Sequence, residues 1–250
     1  MILALARLEL MRLLRAPLAW GLLAVLQFLL ALLFLMYLDN FLVTLQPKLA
    51  ALPSPPGVTE TVLVPTLTWA TLLWLAVTPL LSMRSIAEER QQGRLDLYFS
   101  APISVTELVL GKFLGLVAFV LFGVLLLTAM LASLSLGTPL DWGRLAGGLI
   151  GLLLSVSAFL AAGVYLSARI AQPGLAALLG YALLALLFAL WLSGRSETNP
   201  SSLFVWLSGI GHFLGLAQGL LRLSAVAYFL LATTLFLSLA ILRLDRERNG

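Results

Sequence analysis

The sequence predicts an all-α integral membrane protein with six transmembrane helices. Of its 250 residues, 61% are hydrophobic and only 10% are charged, whereas soluble domains are about 45–50% apolar and about 25% charged. The mean hydropathy is +1.07. Apolar stretches of about 20 residues, the length that crosses a bilayer, recur along the whole chain. We therefore expect a single membrane domain over residues 1–250, with no soluble domain attached.

Charges, prolines and helix-capping residues separate these stretches and set the ends of the predicted spans. The six spans are expected at residues 18–38, 61–83, 107–136, 143–167, 174–192 and 223–242. Asp39 and Asn40 are predicted to end the first span, before a proline-rich loop with a short helix near residues 41–45. Residues 243–250 are expected to form a charged tail.

The fourth predicted span carries a row of small residues at four-residue spacing, which lets another helix approach closely. The row consists of Gly143, Gly147, Gly151 and Ser155. This pattern suits packing within one chain and also a contact between subunits, and the first is the default expectation.

Lys and Arg are distributed unequally between the two ends of the predicted spans. One end carries Arg7, Arg12, Arg15, Arg84, Arg90, Arg94, Lys112, Arg169, Arg243, Arg246 and Arg248. The other end carries Lys48, Arg144, Arg195 and Arg222. Because cytoplasmic loops of membrane proteins are enriched in Lys and Arg, both termini are expected to be cytoplasmic.

Two further segments are apolar but do not fit the pattern of a span. Residues 1–16 contain three arginines and Glu9, and are expected to form a helix in the membrane interface whose arginines reach lipid headgroups. The alternative is a plain charged flank. Residues 193–222 are interrupted by glycines and predict one or two short extracytoplasmic helices.

The longest charged segment, residues 83–112, lies between the second and third spans. A charge at the membrane centre costs roughly 2.5–3.5 kcal/mol, so this segment must lie on the water side. Its composition predicts a short helix over residues 85–92 that ends at Gly93. Pro102 breaks the helix, and Ser104 with Glu107 predicts a capping box for the third span. Lys112 is expected to extend to the cytoplasmic interface.

This segment resembles the cytoplasmic loop of permease subunits in ABC transporters of the type-2 export family, particularly the branch associated with gliding motility and multi-copper-enzyme maturation. The matching positions are Glu88, Glu89, Arg90, Gly93, Leu95, Leu97, Ser100, Pro102, Gly111 and Lys112. The resemblance implies that residues 1–16 are an elbow helix and that residues 84–99 contain a coupling helix. It also implies a multi-pass protein of the cytoplasmic membrane of a prokaryote.

The same resemblance implies that two separate ABC ATPase subunits bind ATP and magnesium, and that a second permease copy or a homologue pairs with this chain. No cofactor or metal is expected in the chain itself. The residues expected to contact the ATPase are Arg84, Glu88, Glu89, Arg90, Gly93, Leu95, Leu97 and Tyr98. Within this set Glu88, Glu89 and Arg90 are expected to make polar contacts, and Leu95, Leu97 and Tyr98 are expected to pack. The alternative is a solvated loop that only fixes topology.

Several kinds of chemistry are missing from the sequence. Without cysteine there are no disulfides, thiolate metal sites or cysteine nucleophiles. Gly111-Lys112 is followed by Phe113 and is not a phosphate-binding loop, so if ATP drives this protein, the ATPase must be another polypeptide. The net charge of +4 reflects arginines at span ends, and no basic face with aromatic residues indicates a nucleic-acid partner.

Two other functions stay open at this point. The chain could be a non-transporting mechanotransmission or scaffold subunit that acts on an extracytoplasmic partner through residues 193–222. An ion-coupled carrier is disfavoured because no charge is expected near the middle of a span. His212, the one histidine, could bind a metal or relay protons, although nothing in the sequence supplies it with further ligands.

Overall fold

The computed structural model describes residues 1–49, 57–195, 202–217 and 222–249, and within these ranges the chain is helical and contains no strand. Six of the helices are long and apolar enough to cross a membrane, which confirms the predicted number of spans. The helices are α1 (Ile2–Arg15), α2 (Pro17–Asp39), α3 (Gln46–Leu49), α4 (Val64–Ser82), α5 (Ala87–Gln91), α6 (Leu95–Ser100), α7 (Val105–Ala132), α8 (Trp142–Arg169), α9 (Pro173–Gly194), α10 (Ser202–Ser208), α11 (Ile210–Ala217) and α12 (Leu223–Asn249). The spans are α2, α4, α7, α8, α9 and α12.

The first span is longer than predicted, because Asp39 and Asn40 do not end it. The helix continues as a π-helical segment, Asn40–Leu45, in which Phe41 is buried. A second π-helical segment, Thr59–Leu63, leads into α4. Burial of apolar side chains at these positions keeps the chain helical where polar residues alone would favour a turn.

The predicted helix starts are confirmed by their capping side chains. Ser104 accepts a hydrogen bond from the Glu107 backbone N–H at 3.1 Å, and Glu107 accepts one from the Ser104 backbone N–H at 3.1 Å. This reciprocal capping box satisfies two backbone donors at the start of α7. Asp141 caps α8 by accepting a hydrogen bond from the Arg144 backbone N–H at 3.1 Å.

The charged tail predicted for residues 243–250 is helical, because α12 continues to Asn249. Arg246 and Arg248 lie in its last turns, where positive charge complements the helix dipole. Glu247 pairs with Arg90, and the Arg248 guanidinium donates to the carbonyl of Ile103 at 3.0 Å. The end of α12 is therefore fixed against the segment between the second and third spans.

The helix α8 lies at the centre of the bundle and packs against α4, α7, α9, α11 and α12. Its small-residue row is used within the chain, as expected by default. A Cβ added at Gly151 would come within 2.8 Å of Leu216 on α11. Such close approaches explain why bulky side chains are missing from this face. The short helices predicted between the fifth and sixth spans are confirmed as α10 and α11, and their extracytoplasmic position stays a prediction. Residues 196–201 and 218–221 lie outside the described part of the chain.

The N-terminal helix α1 lies directly against α7, with Leu5, Glu9 and Leu13 buried. A Cβ at Gly111 would stand 2.5 Å from the Cβ of Leu5, and one at Gly115 would stand 2.6 Å from the Cβ of Glu9. The two glycines allow the helix backbones to come this close. The predicted helix is confirmed, and it is packed into the protein on one side; its position in the membrane interface stays a prediction.

Candidate functional site

The segment between the second and third spans folds as two short helices, α5 and α6, joined at Gly93. Gly93 has φ +68°, a left-handed conformation that glycine adopts without the steric cost other residues pay. The sequence prediction of a helix stop at this position is confirmed. The apolar residues that follow form a second helix, Leu95–Ser100, with Leu95 buried and Leu97 exposed.

The start of α5 is attached to the end of α8 through one buried hydroxyl group. The backbone N–H groups of Ile86 and Ala87 donate to Ser167 Oγ at 3.0 and 2.9 Å. The Ser167 hydroxyl donates in turn to the carbonyl of Met83 at 3.0 Å. Because leaving such buried donors unpaired costs about 1–3 kcal/mol, Ser167 fixes where α5 begins.

Arg90 attaches α5 to two further points. Its Nη2 donates to the carbonyl of Ala168 at 2.7 Å and to Glu247 Oε2 at 2.6 Å, and its Nε lies 3.1 Å from Glu247 Oε1. The two bonds to one carboxylate form the bidentate arrangement in which guanidinium groups bind most specifically. Arg90 therefore links α5 to α8 and α12.

A buried charge cluster lies beneath the other side of α5 and α6 and consists of Glu9, Arg12, Glu89, Arg94 and Lys112. Lys112 Nζ lies 3.1 Å from Glu89 Oε1 and 3.4 Å from Glu9 Oε2. Glu9 and Lys112 are each 4% exposed and Glu89 is 5% exposed. The ammonium group of α7 thus joins a carboxylate of α1 to a carboxylate of α5.

The two arginines of the buried charge cluster complete its hydrogen bonding. Arg12 Nη2 donates to Glu9 Oε1 at 2.5 Å, and Arg94 Nε donates to Glu89 Oε2 at 2.9 Å. Each of the two buried carboxylates therefore faces at least two cations, so neither negative charge is left unpaired. Tyr98 covers the cluster, with Lys112 Nζ 5.8 Å from its ring centroid. Burial, with the nearby carboxylates of Glu89 and Glu9, raises the pKa of Tyr98 and keeps its phenol neutral.

Nearly the whole chain matches one protein family. The family model described as "ABC-2 family transporter protein" matches residues 3–248. The chain belongs to the ABC-2 transporter family. This confirms the family suggested by the charged segment, while its gliding-motility and multi-copper-enzyme branch stays a prediction. No curated protein matches the chain.

The ABC-2 permease divides its predicted contact residues between its surface and its interior. Arg84, Gly93 and Leu97 are exposed, and Leu97 reaches 68%. Glu88, Arg90 and Tyr98 are half-buried, whereas Glu89 and Leu95 are buried. Glu89 and Arg90 are occupied by partners on other helices, whereas among the described residues Glu88 accepts a hydrogen bond only from Gln92, on the surface beside α5.

The sequence did not predict the contacts of several residues that hold α5 in place. Lys112 does not extend to the interface, because Glu9 and Glu89 hold it in the interior. Ser167 and Glu247 lie far along the chain and gave no local signal. Glu9 did give one, since it is a lone acid three residues before Arg12 in an otherwise apolar helix, a spacing that favours an ion pair.

Proposed function

We propose that this ABC-2 permease couples ATP hydrolysis by a separate ATPase subunit to the movement of a substrate across the membrane, and that α5 and α6 dock on that ATPase. The observation that carries this proposal is the two-sided character of the segment. Its outer side presents Glu88, Gly93 and Leu97, so that an apolar side chain lies near a charged one. Its inner side is bonded to four other helices.

The inner contacts support a mechanical role for α5 and α6, which together form the proposed docking segment. Ser167 and Arg90 fix α5 to α8 and α12, and Glu89 fixes it to α7 and α1 through Lys112. A displacement of α5 therefore strains hydrogen bonds and ion pairs to all four helices at once. Packed interiors transmit such strain because they are dense and have low compressibility.

The complete transporter is proposed to contain two permease chains and two ATPase subunits, with ATP and magnesium bound to the ATPase. The arginines gathered at the end of the bundle that carries α5 and α6 support a cytoplasmic position for this segment. The opposite end carries the ion pair between Arg144 and Glu60, with 2.8 Å between Arg144 Nη1 and Glu60 Oε1.

Replacing Leu97 with aspartate is expected to abolish co-purification with the ATPase while leaving the permease folded. Leu97 is 68% exposed, so the change removes little packing within the chain. At the centre of a docking surface, truncating an apolar anchor costs about 2 kcal/mol or more, a loss of about thirtyfold in affinity. The measurement is recovery of the ATPase with tagged permease from detergent-solubilised membranes.

The matched control is Leu136→Asp. Leu136 is 90% exposed at the far end of the third span. Its substitution therefore introduces the same chemical change away from the proposed docking surface. ATPase recovery at the wild-type level with Leu97→Asp, or an equal loss with Leu136→Asp, would contradict docking through α6.

A further inference from the structure

A small cavity lies beside the docking segment, where α1 turns into α2 and α4 ends. Its volume is about 120 Å³, and it is lined by Arg12, Arg84 and the apolar side chains of Leu13, Ala16 and Leu81. Pockets that enclose drug-sized ligands measure about 300–1,000 Å³. This cavity therefore has room for a single charged group with a short apolar attachment.

The polar wall of the cavity has unused hydrogen-bond donors. Arg84 is exposed, and within the described part of the chain its guanidinium makes no ion pair and no hydrogen bond. Its backbone carbonyl accepts a hydrogen bond from Arg12. Arg12 donates to Glu9 and to the carbonyl of Arg84 at 3.4 Å, and its Nη1 lies 3.6 Å from Glu89 Oε1. These contacts do not use all five of its N–H groups. Two guanidinium groups at one small cavity form a site for a phosphate group.

Glu88 lies at the edge of the same cavity and is its one acidic lining residue. Its Oε1 accepts a hydrogen bond from Gln92 Nε2 at 3.3 Å, along the surface of α5. The two arginines therefore outnumber the acid, and the Glu9 carboxylate that neutralises Arg12 is itself shared with Lys112. The cavity retains positive charge.

The surroundings of the cavity favour a lipid over a free anion. Leu18 lines the mouth and is 43% exposed. Trp20, two residues further along α2, points to a different side of that helix and is 44% exposed. Trp20 Nε1 donates to the carbonyl of Leu14 at 2.6 Å, across the corner between α1 and α2. Tryptophan with a satisfied N–H and an apolar ring is typical of the membrane–water interface. An acyl chain leaving the cavity would contact the exposed side chain of Leu18 on α2.

We propose that this cavity binds the phosphate headgroup of an anionic phospholipid through Arg12 and Arg84, with an acyl chain leaving the cavity past Leu18. Basic pockets between transmembrane helices on the cytoplasmic side commonly bind anionic headgroups. The bound lipid would contact α1, α2, α4 and α5 at their common corner. Binding needs no ATPase, so this proposal and the proposed docking function can fail independently.

The test is native mass spectrometry of the full-length permease in detergent, with phosphatidylglycerol and phosphatidylcholine of identical acyl chains added in turn. The wild type is expected to retain one phosphatidylglycerol per chain in preference to phosphatidylcholine. Arg84→Gln is expected to weaken that binding about fivefold, because one arginine near a membrane surface contributes about 1 kcal/mol. Ala16→Phe fills the cavity without changing its charge and is expected to remove the same lipid.

The control is Arg7→Gln, which removes an exposed arginine of α1 outside the cavity and should leave binding unchanged. Equal retention of both lipids, an equal loss with Arg7→Gln, or unaltered binding in Arg84→Gln and Ala16→Phe would overturn the proposal. Displacement of the lipid by an equimolar amount of inorganic phosphate would also overturn it, since the site would then bind a free anion.

Discussion

Lys112→Met is expected to destabilise the permease by about 3–5 kcal/mol, the usual cost of removing one member of a buried ion pair. Methionine fills a similar volume, so the loss comes from charge. Without the ammonium group, Glu9 and Glu89 would face each other at 4% and 5% exposure with only the partly exposed arginines to neutralise them. Because proteins are stable by only about 5–15 kcal/mol, poor recovery of folded protein is expected. The measurement is unfolding in mixed micelles titrated with SDS.

A version of the same site that lacks its three buried charged side chains provides the decisive comparison. Combining Lys112→Met with Glu9→Gln and Glu89→Gln removes the unpaired carboxylates and should restore most of the lost stability. Arg94→Gln is the matched single change, since its side chain is 47% exposed and exposed ion pairs contribute only about 0–1 kcal/mol. If Lys112→Met were as mild as Arg94→Gln, the buried charge cluster would not hold α1, α5 and α7 together.

Gly115→Leu is expected to separate α1 from α7 and to destabilise the permease by about 3 kcal/mol, the upper end of the usual range for overpacking. Even a single Cβ at this position would lie 2.6 Å from the Cβ of Glu9 and 2.8 Å from the carbonyl oxygen of Ala6. The second contact is with backbone, so the whole helix must shift. Glu9 would move with it, away from Lys112. SDS titration measures the stability, and ATP hydrolysis in the assembled complex reports the coupling.

Gly21→Leu is the control for the Gly115 substitution. A Cβ at Gly21 meets nothing within 4 Å, so added bulk there has no clash, and leucine is the better helix former. It should be neutral or slightly stabilising. Equal effects of the two substitutions would show that the contact between α1 and α7 is not specific.

Local features of the fold were predictable because they depend on neighbouring residues. The six spans follow from apolar length, and the start of α7 follows from the spacing of Ser104 and Glu107. Gly93 ends α5 as predicted, since the left-handed turn is specified by that residue itself. The family was predicted correctly because the motif in residues 83–112 is a local sequence pattern that does not depend on tertiary contacts.

Features that depend on tertiary contacts could not be read from the sequence. Lys112 and Glu9 are 103 residues apart, and an isolated lysine near a span end is expected to seek headgroups. Only the glycines of α7 bring α1 close enough to reverse that preference. In the same way, nothing near Glu247 in the charged tail predicts its ion pair with Arg90, which lies 157 residues away in the sequence.

The most direct test of ATPase docking uses the absence of native cysteine. The single substitution Leu97→Cys places an exposed thiol on α6, before the third span. The single substitution Leu136→Cys places an exposed thiol at the far end of that span. After addition of a thiol-to-amine cross-linker to membranes containing the complete transporter, Leu97→Cys should give a covalent permease–ATPase product and Leu136→Cys should not. A product from Leu136→Cys alone, or none from Leu97→Cys while the complex remains intact, would contradict docking through α5 and α6.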